Sequence, residues 1–237
     1  TQGTTQYAGT GWSMTGHSPA AGSGASVVMT HTNDTMLTWF WLTNYWLETT
    51  AGDNGTVAGE DGWIASGVTT QITAIADPYY HFTNWTGSAE SSDNPLDLLV
   101  DEPKAVTANF AENLATNATP EWWLASYGWT NEFDAAATND ADGDGLATWE
   151  EWIALTAPTN KQDVFRLEPL PASVSADGNV VSWNSRTDRV YAVFWLTNLS
   201  ESASVLADDL LYPQNSLTDT LHSAEESIFY RIKVSLP

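Results

Sequence analysis

The chain has 237 residues, 42% of them hydrophobic, with 13 Trp and no Cys. The absence of cysteine excludes disulfides, thiolate zinc sites and thiol catalysis. A formal charge of −23 comes from 30 acidic and 7 basic residues, and no Lys or Arg precedes Lys104. Because phosphate binding requires cationic side chains, we expect neither nucleic acid nor an anionic membrane surface as a partner.

Two features of the sequence favour an exported protein. The sequence starts at Thr1 without a recognisable signal peptide and reads at once as a folded domain, which is typical of a processed, mature chain. No segment approaches the roughly 20 apolar residues that cross a bilayer, so we expect no membrane insertion. We therefore expect a secreted, extracellular protein at the cell surface.

The first 43 residues contain two strand-like stretches that recur later in the chain. Tyr7–Trp12 aligns with His81–Trp85, and Thr35–Trp41 aligns with Lys104–Phe110. About 29 residues of the later copy, roughly its first two strands, have no counterpart further upstream. The first 43 residues are therefore predicted to be an incomplete β-repeat.

An incomplete repeat needs an explanation, because an open sheet edge exposes unpaired backbone donors and acceptors. Three explanations remain open. The chain is a piece of something longer, or the short unit packs on its neighbour as a reduced sheet. Alternatively, a strand from another molecule completes the sheet, which makes the protein a polymerising subunit that contacts copies of itself, head to tail, or another surface protein.

Trp39, Trp41 and Trp46 lie in an aromatic-rich stretch that allows two interpretations. Exposed aromatic rings in a row stack on sugar rings, which predicts a glycan-binding platform. Trp39 and Trp41 share one face of a strand, however, and burial in a core is the ordinary outcome for large aromatic side chains. Burial is the favoured prediction, and glycan binding remains the alternative.

Residues 44–111 read as short strands separated by turns. Strands are predicted at 45–49, 68–76, 82–85, 96–100 and 105–110. The stretches I-T-A-I-A-D-P-Y-Y-H-F-T-N-W-T-G (72–87) and K-A-V-T-A-N-F (104–110) resemble a divergent internalin-type B-repeat, a β-rich module common in large secreted bacterial proteins. The resemblance implies a spacer or adhesive stalk without catalysis.

Helical patterns replace strand patterns after the repeat. The motif T-P-E at 119–121 predicts a helix that starts with Thr119 as N-cap and ends at Gly128. Further helical pieces are predicted at 132–137, capped by Asn131, and at about 146–155.

The stretch D-A-D-G-D-G-L-A-T-W-E-E, residues 140–151, fits the calcium-loop pattern D-x-[DN]-x-[DN]-G-x5-E at every fixed position. Calcium prefers six to eight oxygen ligands in a loose cage, and this spacing supplies them. Gly145 stands where the loop must turn sharply. The predicted ligands are Asp140, Asp142, Asp144, the carbonyl of Leu146, and Glu151. Because the protein fills every ligand position, the spacing indicates a structural calcium ion.

Three stretches around this loop, 120–128, 140–154 and 158–160, together resemble the calcium-binding insert found near the C-terminus of many secreted bacterial proteins. The insert is related in loop chemistry to EF-hand, dockerin and thrombospondin type 3 repeats. Relatives usually carry Asp where this chain has Ala157, so a second ion anchored there is not inferred. Only one loop is present, so a cohesin partner is not inferred.

Strand patterns return at 164–167, 180–184, 190–196, 204–206 and 228–234, a spacing that predicts a small β-sandwich. The stretches V-V-S-W (180–183), Y-A-V-F-W-L-T-N-L (191–199) and F-Y-R-I-K-V (229–234) are similar to the immunoglobulin- or fibronectin-like modules that end many secreted bacterial chains. No catalytic pattern is recognisable. The four histidines, His17, His31, His81 and His222, are scattered, and G-x-S-x-G is absent. We expect no enzymatic activity.

Together these patterns predict a mainly β fold with small β-repeat modules, a short two-helix calcium-binding insert and a C-terminal β-sandwich. The predicted division places an incomplete repeat at 1–43, a complete repeat at 44–111, the calcium insert at 112–161 and the sandwich at 162–237. The expected function is that of a non-catalytic extracellular structural or adhesive protein, stabilised by calcium and assembled into a surface fibre by inter-subunit strand addition. The alternative is an accessory glycan-binding tail of a secreted polysaccharide-active protein.

Overall fold

The computed structural model describes residues 3–29, 34–59, 61–168, 178–223, 225 and 227–237, so His31 lies outside the described residues. The chain divides into two compact units, Thr1–Asn113 and Leu114–Pro237. Strands make up 48% and helices 10%, which confirms the predicted mainly β class. No helix within the described ranges is long and apolar enough to cross a membrane.

Two sheets form the first unit. Its strands are β1 (Thr5–Thr15), β2 (Ala21–Gly22), β3 (Met36–Ala51), β4 (Gly55–Ala58), β5 (Gly62–Ala65), β6 (Val68–Ala76), β7 (Tyr80–Gly87), β8 (Leu96–Val100) and β9 (Lys104–Glu112). The larger sheet has the order β2-β1-β3-β9-β7, with β5 also paired to β3, and the smaller sheet has the order β4-β6-β8. The strands predicted at 68–76 and 96–100 coincide with β6 and β8, whereas β4 and β5 were not predicted.

The core of the complete repeat joins the two sheets. Side chains alternate in direction along each strand, so every second residue of β6, β8 and β9 points inward. Trp85 is fully buried, and its indole N–H donates a hydrogen bond to the carbonyl of Asp93 at 3.0 Å. The buried core residues are Leu47, Ile72, Ala74, Trp85, Leu96, Leu98, Val106 and Ala108.

Strand β3 belongs to both parts of the first unit. Its residues up to Tyr45 pair antiparallel with β1. From Asn44 to Leu47 it also pairs antiparallel with β5, and from Leu47 to Ala51 it pairs parallel with β9. The predicted boundary between residues 43 and 44 falls inside this strand. The N-terminal residues thus extend the larger sheet of the repeat as a hairpin.

The hairpin of β1 and β3 has the same register as the hairpin of β7 and β9. The opposed pairs are Trp12–Trp39 and Gly9–Trp41 in the first hairpin, and Trp85–Ala108 and Phe82–Phe110 in the second. Each hairpin has a one-residue bulge between these pairs, at Thr10 in β1 and at Thr83 in β7. The pairing therefore agrees with the sequence alignment of the two stretches.

The second unit begins with the helical segment. Strands β10 (Leu114–Ala115) and β11 (Thr119–Pro120) pair around a 3-10 turn at Thr116–Ala118. Three short helices follow, at the three places where helical pieces were predicted: α1 (Glu121–Ser126), α2 (Phe133–Thr138) and α3 (Thr148–Ala154).

Thr119 was predicted as the N-cap of α1, and this is wrong. Pro120 occupies the N-cap position, and no side chain caps the helix there. Thr119 is committed to strand pairing with Ala115, and its hydroxyl donates to the carbonyl of Thr116 at 2.9 Å. Glu132, rather than Asn131, occupies the N-cap position of α2.

The rest of the second unit is a small sandwich of two sheets. Its strands are β12 (Asn179–Ser182), β13 (Val190–Leu196), β14 (Ser204–Leu211), β15 (Ser216–Asp219) and β16 (Phe229–Ser235). One sheet pairs β12 with β15, and the other has the order β14-β13-β16. Val181, Trp183, Tyr191 and Val193 form the buried core. The strand predicted at 164–167 is reduced to a bridge between Leu167 and Trp183, and β15 was not predicted.

Candidate calcium site

The loop between α2 and α3 brings three aspartates together. Potential ligand oxygens of Asp140, Asp142 and Asp144 lie within 4.8 Å of one another. Asp140 uses both carboxylate oxygens to hold the loop, because Oδ1 accepts the N–H of Gly143 at 2.8 Å and Oδ2 accepts the N–H of Gly145 at 2.9 Å. These hydrogen bonds fix the turn around a concentrated negative charge.

Gly145 is required by its backbone conformation. Its φ of 102° lies in the left-handed region that L side chains rarely adopt, and an added Cβ would meet no neighbouring atom. Only the strain of the backbone therefore demands glycine here. This is the residue that the calcium-loop pattern places at the sharp turn.

Asp142 and Asp144 each leave one carboxylate oxygen without a partner. Oδ1 of Asp142 accepts the N–H of Asp144 at 3.1 Å, and Oδ1 of Asp144 accepts the N–H of Leu146 at 2.8 Å. The Oδ2 atoms of both residues are buried and have no hydrogen-bond partner among the described residues. A buried carboxylate oxygen without a partner lowers the stability of the folded state. A bound cation or a hydrogen-bond donor at these two oxygens offsets that cost.

Glu151 is the most strongly perturbed of the predicted ligands. It is fully buried on α3, outside the 4.8 Å cluster of aspartates, and its Oε1 accepts the hydroxyl of Thr156 at 3.4 Å. Its Oε2 is buried without a partner in the described structure. Burial, followed by the charges of Asp142 and Asp144, raises the pKa of Glu151 to about 8. A divalent cation among these carboxylates offsets both the cost of burying the Glu151 charge and its repulsion from the aspartates.

Tryptophans surround the helices that carry the loop. The buried residues of this cluster are Ala115, Trp123, Leu124, Ala136 and Ala137, and Trp122, Trp129, Phe133, Trp149 and Trp152 pack against them. Trp152 contacts both Trp122 and Trp123, with ring centroids 5.8 and 5.3 Å apart. Because Trp149 and Trp152 lie on the same short helix as Glu151, a change in the loop reaches this cluster directly.

The structure separates the three aromatic residues considered for glycan binding. Trp41 is 61% exposed, so the prediction that it lies in the core is wrong. Trp39, on the same face, is half-buried, and Trp46 faces the other side and packs edge-to-face on Trp63 with ring centroids 5.4 Å apart. Three tryptophans therefore do not form one platform.

Sequence reasoning did not identify Thr156 or Arg189 as residues of the calcium-loop region. Thr156 is buried beside Glu151, and Arg189 reaches α3 from the sandwich. Neither position belongs to the loop motif, and Arg189 is distant from it in sequence. A short hydroxyl residue soon after the last ligand is too common a pattern to have indicated the contact with Glu151.

Comparison with known proteins matches one segment of the chain. Residues 45–114 match the family described as the divergent InlB B-repeat domain, which agrees with the resemblance of the complete repeat. This family is a repeat domain of a kind not known to be catalytic. No curated protein and no solved structure matches the chain significantly.

Proposed function

We propose that this chain is a non-catalytic structural or adhesive protein of the bacterial cell surface, and that calcium stabilises its second unit. The matched B-repeat supports a surface-type module. The observation that carries the calcium part is the carboxylate of Glu151, which is fully buried near three aspartates with one oxygen unpaired among the described residues.

In this proposal calcium takes side-chain oxygens of Asp140, Asp142, Asp144 and Glu151 and the carbonyl oxygen of Leu146. Extracellular calcium modules bind with dissociation constants of roughly 10⁻⁴ to 10⁻³ M. Binding to the folded state alone adds about 1.4 kcal/mol of stability when calcium is at about ten times the dissociation constant. The ion thus joins the loop to α3 and, through α3, to the tryptophan cluster.

Thermal unfolding in EDTA and in millimolar calcium tests this role. We expect calcium to raise the midpoint of the second unit and to change tryptophan fluorescence, because Trp149 and Trp152 lie on α3. The variant Asp142→Asn should abolish both responses, whereas Asp208→Asn, an exposed acid of β14, should keep them. If calcium leaves both the midpoint and the fluorescence unchanged, calcium has no structural role here.

Assembly with copies of the same chain or with another surface protein is the second part of the proposal. Strand β3 supports it, because its N-terminal part exposes Met36, Phe40, Trp41 and Leu42. Met36, Phe40 and Leu42 share one face of the strand, and large exposed apolar groups on one face are typical of protein interaction sites. Sedimentation velocity over a range of concentrations tests assembly. A monomer at every concentration, with an N-terminus resistant to protease, contradicts it.

Glycan binding is a second candidate function, and the exposure of Trp41 favours it. The ring of Trp41 lies over Gly9, whose missing side chain leaves the ring accessible. Affinity electrophoresis in gels that contain soluble polysaccharide tests this candidate. Retardation that Trp41→Ala abolishes, and that Tyr212→Ala at an exposed site of the other unit preserves, supports glycan binding. Equal mobility with and without polysaccharide excludes it for those polysaccharides.

A further inference from the structure

The complete repeat provides a template for the N-terminal hairpin, because β1 and the first part of β3 pair as β7 and β9 do. The likeness includes the outer side of the tryptophan strand. In the complete repeat the N–H of Trp85 donates to the carbonyl of Ser91, which forms an isolated bridge there. In the hairpin Trp12 pairs with Gly22 of β2 in the corresponding place. The outer edge of β1 is therefore paired at Trp12, as the outer edge of β7 is paired at Trp85.

The other edge of the hairpin differs from its template. In the complete repeat, Lys104–Ala108 of β9 pair with a parallel strand, Leu47–Ala51. Trp39 lies opposite Trp12 in the hairpin, and Ala108 lies opposite Trp85 in the complete repeat. The part of β3 that corresponds to Lys104–Ala108 therefore ends at Trp39. Among the described residues, Met36–Leu42 pair with β1 alone, and β5 begins to pair only at Asn44.

Backbone hydrogen bonds show which groups this open edge presents. The carbonyl of Thr43 accepts the N–H of Ser66 on the β5 side, and the N–H of Trp46 donates to Thr4 on the β1 side. Because backbone groups of successive residues alternate between the two edges of a strand, odd-numbered residues face the β5 side. The N–H and C=O groups of Leu37, Trp39 and Trp41 therefore lie on the open edge.

The ring of Trp41 is less covered than the ring at the equivalent position of the complete repeat. Its equivalent, Phe110, is half-buried and packs over Gly55 at the start of β4, where an added Cβ would collide with the ring. Among the described residues no segment covers Trp41 in this way, and its side chain is 61% exposed. The open edge and the uncovered ring thus both correspond to one segment of the complete repeat, which runs from the parallel strand of β3 into β4.

We propose that the open edge at Met36–Leu42 is a docking slot for an extended strand from another polypeptide that has the character of the first half of a B-repeat. The incoming strand runs parallel to β3, on the edge of β3 that β5 occupies from Asn44 onward. It resembles Tyr45–Ala58, with a small residue opposite Trp39 where Ala51 lies opposite Ala108. This inference rests on the proposed assembly function and names its partner.

A synthetic peptide with the sequence of residues 45–58 tests the slot in solution. Isothermal titration of the intact chain in calcium buffer should show saturable binding of one peptide per chain. Replacing Thr50 in the peptide by Pro should weaken binding by at least about 10-fold, because it removes a strand N–H that faces the slot. Gly52 donates to Ala108 of β9 in the complete repeat, and Thr50 lies on the same edge of the strand. Trp41→Lys in the protein should weaken it similarly, and Ile75→Lys, at another exposed apolar site on β6, should leave it unchanged.

Two further measurements make the result decisive. Circular dichroism should show that both protein variants keep the wild-type thermal midpoint. The calcium-induced shift of the midpoint should also persist in Trp41→Lys, so that a failed slot and a failed calcium role remain distinguishable. Absence of saturable binding up to about 1 mM peptide, which is weaker than about −4 kcal/mol, overturns the slot. Equal loss of binding in both protein variants also overturns it.

Discussion

Arg189 contacts Trp152 in two ways. Its Nη2 donates to the carbonyl oxygen of Trp152 at 2.6 Å, and its guanidinium carbon lies 5.2 Å from the centroid of the same indole ring. A further hydrogen bond from Nε reaches the carbonyl of Ile153. A cation at the C-terminal carbonyls of a helix is favourable, because those carbonyls carry partial negative charge and have no partner within the helix. The sandwich thus holds the end of the helix whose first turn carries Glu151.

Replacing Arg189 by Met should destabilise the second unit by about 2–3 kcal/mol, because two carbonyls of α3 lose charge-assisted hydrogen bonds. Urea unfolding monitored by tryptophan fluorescence measures the change. Arg166→Met provides the control, since Arg166 is exposed and only its backbone N–H makes a described hydrogen bond. Equal stability of the two variants contradicts a structural role of the Arg189 guanidinium.

Glu151→Gln should have opposite effects on stability with and without calcium. In EDTA at neutral pH the variant should be more stable by about 1–3 kcal/mol, because the parent must either bury an unpaired charge or take up a proton at Glu151, whose pKa is raised to about 8. Added calcium should stabilise the variant much less than the parent, because an amide is a poorer ligand for a hard cation than a carboxylate. In calcium the variant should therefore be the less stable of the two proteins. Thermal unfolding of both proteins in both buffers tests this crossover. A variant that is less stable than the parent in EDTA contradicts the view that Glu151 is strained there.

Two tryptophans at equivalent positions should respond differently to loss of the indole N–H. Nε1 of Trp85 donates to Asp93, whereas Nε1 of Trp12 is buried without an acceptor in the part of the chain that the structure describes. Trp85→Phe should therefore cost about 1 kcal/mol more than Trp12→Phe, beyond the loss of ring volume that both share. Chemical unfolding of the two variants gives the difference. Equal costs show that the hydrogen bond to Asp93 contributes nothing net.

Asp219 should make the sandwich sensitive to acid. Burial alone favours the protonated form, but hydrogen bonds from His222, Tyr230 and the N–H of Leu221 outweigh it and hold the pKa of Asp219 below its ordinary value. A lowered folded-state pKa stabilises the fold above the unfolded pKa of about 3.9, and that stability is lost as pH falls through the folded pKa.

Asp219→Asn should therefore cost about 1.5–3 kcal/mol at neutral pH, and the difference from the parent should shrink below about pH 4. Urea unfolding at pH 7 and at pH 3 measures both values. The control is Asp208→Asn, which alters an exposed acid on β14. A cost that stays constant down to pH 3 contradicts the role of the ionised carboxylate.

Local patterns predicted the parts of this molecule that depend on nearby residues. Alternating apolar residues located β6 and β8 at their observed bounds, and the spacing of three aspartates brought Asp140, Asp142 and Asp144 together. The coordination of calcium by these residues stays a prediction.

Features set by distant contacts were missed. Thr119 reads as a helix cap, but its pairing with Ala115 commits it to a strand. Trp41 reads as a core residue, and its exposure depends on the absence of a covering strand that the local sequence does not reveal. No local sequence pattern indicates the contact of Arg189 with α3, because its partners lie more than 30 positions earlier in the chain.

Strand β3 has a mechanical consequence. It is 16 residues long, and its hydrogen bonds join β1 along one part and β5 and β9 along another. A force applied along its axis loads these bonds in shear, so that many must break together, whereas a force applied across a hairpin opens them one at a time. We expect the hairpin and the complete repeat to resist pulling along β3 as one body. A tether built through this strand transmits tension instead of unravelling at the boundary between repeats.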